Sequence, residues 1–240
     1  MIIADPVHYL YCVVMFAVYH RRYKWLPPCW MAFCVYKVLS QYEHPGNILI
    51  SFVFMFFWYD FFSGLLHIVL DNPEFIKLPV IGTPCLEFQW HHHIPLDLAS
   101  KDFLETCGDL NTVTCVLGTI YFGVCNLSSI GCCLAGCKVL FAYFGQYCHC
   151  MAHTPVSRRP GWVISLQDAG VMVSSQEHGV HHQTYDDNFC IGSGVCNPLI
   201  TWCTRNLTAN KYFWLISFLL CASCDVAILN YVLCKYFNFV

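Results

Sequence analysis

The sequence predicts an all-α fold, a polytopic helical integral membrane protein with a histidine-rich metal centre at its cytoplasmic face. Three observations carry that expectation. Apolar residues make up 57% of the 240 residues and charged residues only 11%, against about 45–50% and about 25% in soluble domains. Mean hydropathy is +0.51, and several apolar runs approach the roughly 20 residues that span a bilayer core. Nine of the 12 histidines fall between His67 and His182, in four clusters.

Each segment follows in order. Val7–Tyr19 is a first apolar run, and Arg21, Arg22 and Lys24 follow it rather than precede it. That order favours a retained membrane segment with its C-terminal end in the cytoplasm over a cleaved signal, and the first residues do not resemble an Arg- and Ser-rich transit peptide. Trp25–Leu39 is short, either a span or half of a hairpin. Asn47–Leu66 is nearly uncharged and of spanning length. Leu110–Leu127 and Ile130–Tyr147 form a pair joined at Ser128-Ser129, and Tyr212–Val232 closes the chain. Five or six segments result. The expected division is N-terminal membrane segments over 1–46, a histidine-bearing domain over 47–210 and a C-terminal membrane helix over 211–240.

Two polar stretches, Ile68–Asp109 and Cys148–Asn210, carry nearly all the clusters. Lys77 and Lys101 in the first, and Arg158, Arg159, Arg205 and Lys211 in or beside the second, place both in the cytoplasm by the positive-inside rule. Every cluster then lands on one side of one membrane. The two N-x-[ST] sequons, at Asn126 and Asn206, read as chance matches in this topology. The net charge of −3 comes with no dense basic patch, which excludes a nucleic-acid partner. The 18 cysteines lie mostly in apolar runs, where thiols act as small hydrophobes. Cys221-x-x-Cys224 has no partner motif and reads the same way.

Imidazole is the commonest metal ligand and suits iron, zinc and copper. His67 and Asp71 are four apart and share a helix face, with Asp60 further along it. An Asp inside an apolar span is costly, and the simplest reading of Asp60 is a hydrogen-bonded interhelical residue. His149 and His153 repeat the i, i+4 spacing. His178-x-x-His181-His182 can give two imidazoles to one ion while the third turns toward a second. His91-His92 forms a companion pair, with His93 a spectator. His8, His20 and His44 stand alone and read as interfacial or turn histidines. The candidate ligands are therefore His67, Asp71, His91, His92, His149, His153, His178, His181 and His182. Nine groups exceed the needs of one ion and suit two. A nitrogen-rich, open pair of sites points to iron rather than to structural zinc, whose sites are usually closed and Cys-rich.

The ordered motifs resemble those of the Kua family of membrane lipid desaturases, which has an animal plasmanylethanolamine branch and a plant plastid branch. The resemblance runs from about Trp58 to Leu207. It is carried by His67-Ile68-Val69-Leu70-Asp71-Asn72, Phe88-Gln89-Trp90-His91-His92-His93-Ile94-Pro95 and His149-x-x-x-His153-Thr154. It continues through Leu166-Gln167-Asp168-Ala169-Gly170, Glu177-His178-Gly179-Val180-His181-His182, Tyr185 to Cys190, Ser193-Gly194 and Asn197-Pro198. Asp102 to Asp109 is similar to the animal branch, whereas Gln167 to Ser174 is closer to the plastid branch. Lys101 and Gly170 stand where the animal branch has histidine.

The resemblance implies a di-iron centre that reduces O2 and takes electrons from cytochrome b5 or ferredoxin. It implies removal of two hydrogens from an alkyl-ether or fatty-acyl chain of a phospholipid in the bilayer. The expected membrane is the endoplasmic reticulum, ahead of the plastid. Two other readings share the histidines. A lipid hydroxylase would use the same centre with a different outcome. A metal transporter would place its ligands along a path near mid-membrane, where these do not lie.

Overall fold

The apolar runs Asn47–Leu66 and Ile130–Tyr147 lie within the two longest helices of the chain. The computed structural model describes residues 26–108 and 110–239. Val7–Tyr19, His8, His20, the Arg21-Arg22-x-Lys24 run, Trp25 and Asp109 lie outside the described residues. In order, the helices are α1 (Leu26–Leu39), α2 (Pro45–Leu70), α3 (Gly82–His93), α4 (Pro95–Leu98), α5 (Phe103–Cys107) and α6 (Leu110–Gly123). They continue as α7 (Ser129–His153), α8 (Gly161–Asp168), α9 (Ser175–Thr184), α10 (Asn197–Asn206), α11 (Lys211–Ser223) and α12 (Asp225–Phe237). Short 3-10 turns cover Pro73–Lys77 and Val156–Arg158, and there is no strand among the described residues.

α2 starts with Pro45 in its first turn, where a fixed φ suits helix entry and no N–H is missed. Its 26 residues give about 39 Å of helix, and the 25 residues of α7 about 38 Å. Ser128 caps α7, its Oγ accepting from Gly131 N at 3.4 Å. The two long helices pack through Met55, Tyr59, Phe62, Leu134, Phe141 and Ala142. Gly145 permits the close crossing, because a Cβ there would lie 2.5 Å from the Tyr59 ring. α1, α6 and α12 flank α7, and α11 lies on α2.

Among the described residues, two helices are long and apolar enough to cross a membrane, or three if α11 and α12 count as one bent span. Of the five or six segments expected from sequence, the first lies outside the described residues, and those that hold α1 and α6 fall short of spanning length. α1 and α6 have 14 residues each, about 21 Å of helix against a core of about 30 Å. α6 stops at Gly123 rather than running to Leu127. The expected continuous Tyr212–Val232 helix is instead bent by 60° between α11 and α12. A buried charge pair explains the break. Lys138 Nζ donates to the Cys221 and Ala222 carbonyls at 3.0 and 2.8 Å and to Asp225 Oδ1 at 2.6 Å. A side chain that captures terminal carbonyls interrupts the i→i−4 ladder. Cys221 and Cys224 are half-buried at this bend, and no disulfide is present among the described cysteines.

Asp60 fixes the loop between α9 and α10. Its Oδ1 accepts from Ser193 N and Gly194 N at 2.7 and 3.0 Å, and its Oδ2 from Cys196 N at 2.8 Å. Ser63 Oγ adds a bond from Ile191 N at 3.1 Å. The carboxylate thus satisfies three backbone donors and holds the loop against the middle of α2; it is hydrogen-bonded as expected, but to a loop rather than to another helix.

Candidate metal centre

The C-terminal ends of α2, α3 and α7 converge, and α9 closes over them. His67 lies in the last turn of α2 and Asp71 is its C-cap. His91 and His92 end α3, and His149 and His153 end α7. α9 carries His178, His181 and His182. A capping box starts α9: Ser174 Oγ accepts from Glu177 N at 3.1 Å, and Glu177 Oε2 accepts from Ser174 N at 3.2 Å. Arg159 ties the start of α9 to the end of α7, donating to the Thr154 carbonyl at 2.7 Å, to Gln167 Oε1 at 2.8 Å and to Ser175 Oγ.

All nine sequence-derived candidates come together, and they form two sets. One comprises His91, His149, His153, His178 and His182; the other comprises His67, Asp71, His92 and His181. Within each set the potential ligand atoms lie within 4.8 Å of one another. Sequence neighbours are divided between the sets because consecutive helical residues point about 100° apart. His91 parts from His92 in this way, and His181 from His182. His178 and His182, one turn apart, face the same set. The sets adjoin: the His92 and His182 rings stack with centroids 4.2 Å apart, and the His67 and His149 rings are 5.5 Å apart. His93 and His44 are exposed and belong to neither set.

The spacing of the nitrogens suits a shared cation. In the five-imidazole set, Nε2 of His149 and His153 are 3.3 Å apart, those of His153 and His178 2.9 Å, and those of His178 and His182 3.0 Å. A metal–nitrogen bond of about 2.1 Å separates neighbouring ligand atoms by about 3.0 Å in octahedral geometry and about 3.4 Å in tetrahedral geometry. Several buried ring nitrogens in the two sets also lack hydrogen bonds. Both nitrogens of His67 and of His92, and Nε2 of His91, lack hydrogen bonds. Buried polar atoms are normally satisfied, so such a concentration of orphans is what a site able to hold an ion would show.

The other set makes the same point through a tautomer. His181 Nδ1 lies 2.9 Å from the Asp187 carbonyl, and its Nε2 lies 2.9 Å from Asp71 Oδ2. The carbonyl can only accept, so Nδ1 carries the proton and a neutral ring turns the Nε2 lone pair toward the carboxylate. A lone pair facing a carboxylate in this way suits a bound cation. Asp71 Oδ1 is 3.1 Å from His92 Nε2, and Asp71 Oδ2 is 3.8 Å from His67 Nε2. It is the sole carboxylate in either set.

Protonation opposes metal binding, and burial opposes protonation here. Burial, and then the neighbouring imidazoles, holds His91 and His178 well below the ordinary histidine range. Burial followed by His92, His153 and His181 pushes His182 down to about 2. These rings are neutral near pH 7, the state in which imidazole binds metals.

Three contributors carry no clear sequence signal. The Asp187 carbonyl orients His181, and Gln89 Nε2 donates to the Asp71 carbonyl. Tyr185, left-handed at φ 59°, stacks on His92 with centroids 4.9 Å apart. All three lie inside motifs that carry the family resemblance, but only the fold gives them a role.

Beside the histidines is an apolar cavity of about 250 Å³ between α2, α3, α6, α7 and α11. Phe88 lines it and separates it from the imidazoles, with ring centroids 5.1 Å from His67, 5.3 Å from His91 and 5.9 Å from His149.

A family model described as lipid desaturase domain matches residues 56–207, a span that includes both sets. Fatty acid desaturase 4, chloroplastic, from Arabidopsis thaliana is 32% identical over 145 residues, covering 59% of this chain and 44% of that protein. Plasmanylethanolamine desaturase 1 from Mus musculus is 30% identical over 170 residues, covering 67% of this chain and 62% of that protein. Fatty acid desaturase 4-like 1, chloroplastic, from Arabidopsis thaliana is 29% identical over 145 residues, covering 59% and 48%. The chain spans about half the length of the curated relatives it matches. No solved structure matches.

Proposed function

This chain belongs to the lipid desaturase domain family, and from that premise we propose that it is an integral membrane oxidoreductase that introduces a double bond into an alkyl-ether or fatty-acyl chain of a phospholipid. The observation that carries the proposal is the pair of adjoining ligand sets beside an apolar cavity. His91, His149, His153, His178 and His182 would hold one iron; His67, Asp71, His92 and His181 would hold the other. The metal-bearing domain corresponds to residues 47–210, with membrane segments before and after it.

Bound iron supplies the reduction of one O2 to two waters, with two electrons and two protons from adjacent C–H bonds, two electrons from a donor and two protons from solvent. Cytochrome b5 or ferredoxin is the proposed class of donor. The chain's own residues do the rest. Asp71 would lower the charge of the site it serves, and the Asp187 carbonyl holds His181 with Nε2 turned toward Asp71 and the site they would share. Phe88 and the apolar walls of the cavity exclude water and hold a hydrocarbon chain beside the imidazoles. α2 and α7 both deliver their C-terminal ends to the centre, which supports a site at one membrane face; the positive charges of the two polar stretches make the cytoplasmic face the proposed one. The endoplasmic reticulum is the proposed membrane, ahead of the plastid.

The test is lipid analysis of cells lacking endogenous activity, with and without the full chain, in air and under nitrogen. The proposal expects new alkenyl or monounsaturated phospholipids that require O2. An unchanged lipid profile at normal expression overturns it, and a hydroxylated product would assign the hydroxylase chemistry instead.

A further inference from the structure

The cavity beside the centre has a polar end. Lys138 and Tyr121 line it together with Tyr59, Val139, Ala142 and Phe218. Lys138 sits in the middle of α7 with its side chain 7% exposed, and its partner Asp225 is 4% exposed. The pair is closed off: Lys138 Nζ reaches Asp225 Oδ1, the Cys221 and Ala222 carbonyls and Tyr121 OH, the last at 3.3 Å. Trp58 Nε1 donates to Asp225 Oδ2 at 2.7 Å. A buried charge pair within an apolar helical bundle is costly to install and is a functional candidate by default. A clamp that served the α11–α12 bend alone would have no need to face the cavity.

We infer that Lys138, held by Asp225, forms with Tyr121 the floor of the chain-binding cavity and sets how far a hydrocarbon chain extends beyond the reacting carbons. This inference rests on the desaturase reading and names a specificity determinant for it. Methylenes are accommodated along Val139, Ala142 and Phe218, and they stop where further entry would break the hydrogen bonds of Lys138 without replacing them. Eleven residues of α7 separate Lys138 from His149, about 16 Å of helix. An extended chain advances about 1.3 Å per carbon, given C–C bonds of about 1.5 Å, so the floor admits roughly a dozen carbons past the centre.

The experiment supplies cells expressing the full chain with substrates of graded chain length and measures the length distribution of the unsaturated products. Replacing the pair with apolar residues of similar volume, Lys138→Met with Asp225→Leu, removes the polar floor. The expected result is at least about a threefold rise in the ratio of long-chain to short-chain product, within the tenfold-per-1.4 kcal/mol scale of binding selectivity. Ala142→Leu fills the cavity one turn above Lys138, and it is expected to move the ratio at least as far in the opposite direction. If the double variant does not accumulate as folded protein, Ala142→Leu decides alone. A length distribution unmoved by Ala142→Leu, or a folded Ala142→Leu protein with no product of any length, overturns the floor. Absence of product from the unsubstituted chain overturns the desaturase reading instead.

Discussion

The five-imidazole set and the set containing Asp71 share two helices and differ in the third. α3 and α9 each contribute to both, whereas α7 serves only the five imidazoles and α2 only the other set. The sets are therefore linked through the short helices and anchored on separate long ones. They differ in charge as well. A divalent ion among five neutral imidazoles would keep its full charge, while Asp71 would cancel part of it in the other set. In a buried site that difference weighs heavily, because an unpaired charge away from water is expensive. Two sites built from the same kinds of motif should then hold their ions with unequal strength, and substitutions can separate them.

The largest effect is expected from deleting one imidazole in each set. His178→Ala and His181→Ala should each lower product formation by more than about 100-fold, beyond the 10–100-fold typical of groups that merely support a ligand. Equal and severe losses would show that both ions are needed. A variant of one set that retained near-full activity would break the comparison. Asp71→Asn comes next. It keeps the side chain's size but removes the negative charge opposite His181 and His92, so metal affinity of that set should fall about 10–100-fold while the five-imidazole set keeps its ion. Metal titration of the purified variant should show one tight and one weakened site.

Asp60→Ala probes support rather than ligation. It leaves three backbone N–H groups of the 193–196 loop without their acceptor, at about 1–3 kcal/mol for each that stays buried. The expected outcome is a thermal midpoint lower by several degrees, with the metal ratio of the remaining folded protein unchanged. A selective loss of one ion would instead make Asp60 part of one set.

The smallest effect concerns pH and falls on the five-imidazole set. His91, His178 and His182 have folded-state values below the ordinary one, so the unfolded chain binds more protons as pH drops through about 6.5. Metal-free protein should keep this contribution above that pH and lose stability progressively below it, toward about 2 for His182. Thermal unfolding after chelation, at pH 7.5 and pH 5.5, checks the sign. A metal-free protein that is more stable at the lower pH would contradict the burial of neutral rings.

Much of this comparison was legible before folding was considered. The spacings of His67 to Asp71, His149 to His153 and His178 to His182 each name a helix face. The adjacency of His181 to His182 already implies that the two rings diverge. The pairing of faces was not legible, because it depends on contacts between residues far apart in the chain. The His181–Asp71 contact spans 110 positions. The backbone carbonyl of Asp187 carries no residue-type signal at all. The expectation of one continuous C-terminal helix failed for a related reason. Hydropathy treats Tyr212–Val232 as uniform, but Lys138, on another helix, draws in the Cys221 and Ala222 carbonyls and bends the chain there. Local periodicity reads elements well, and a buried charge from elsewhere can still divide one of them.

The most direct measurement of the central claim is the iron content of purified full chain beside His178→Ala and His181→Ala. The account predicts about two irons per chain for the unsubstituted protein and about one for each variant, since each substitution opens one set and leaves the other closed. Full retention of iron by both variants, or stoichiometric zinc in the unsubstituted protein, would contradict it.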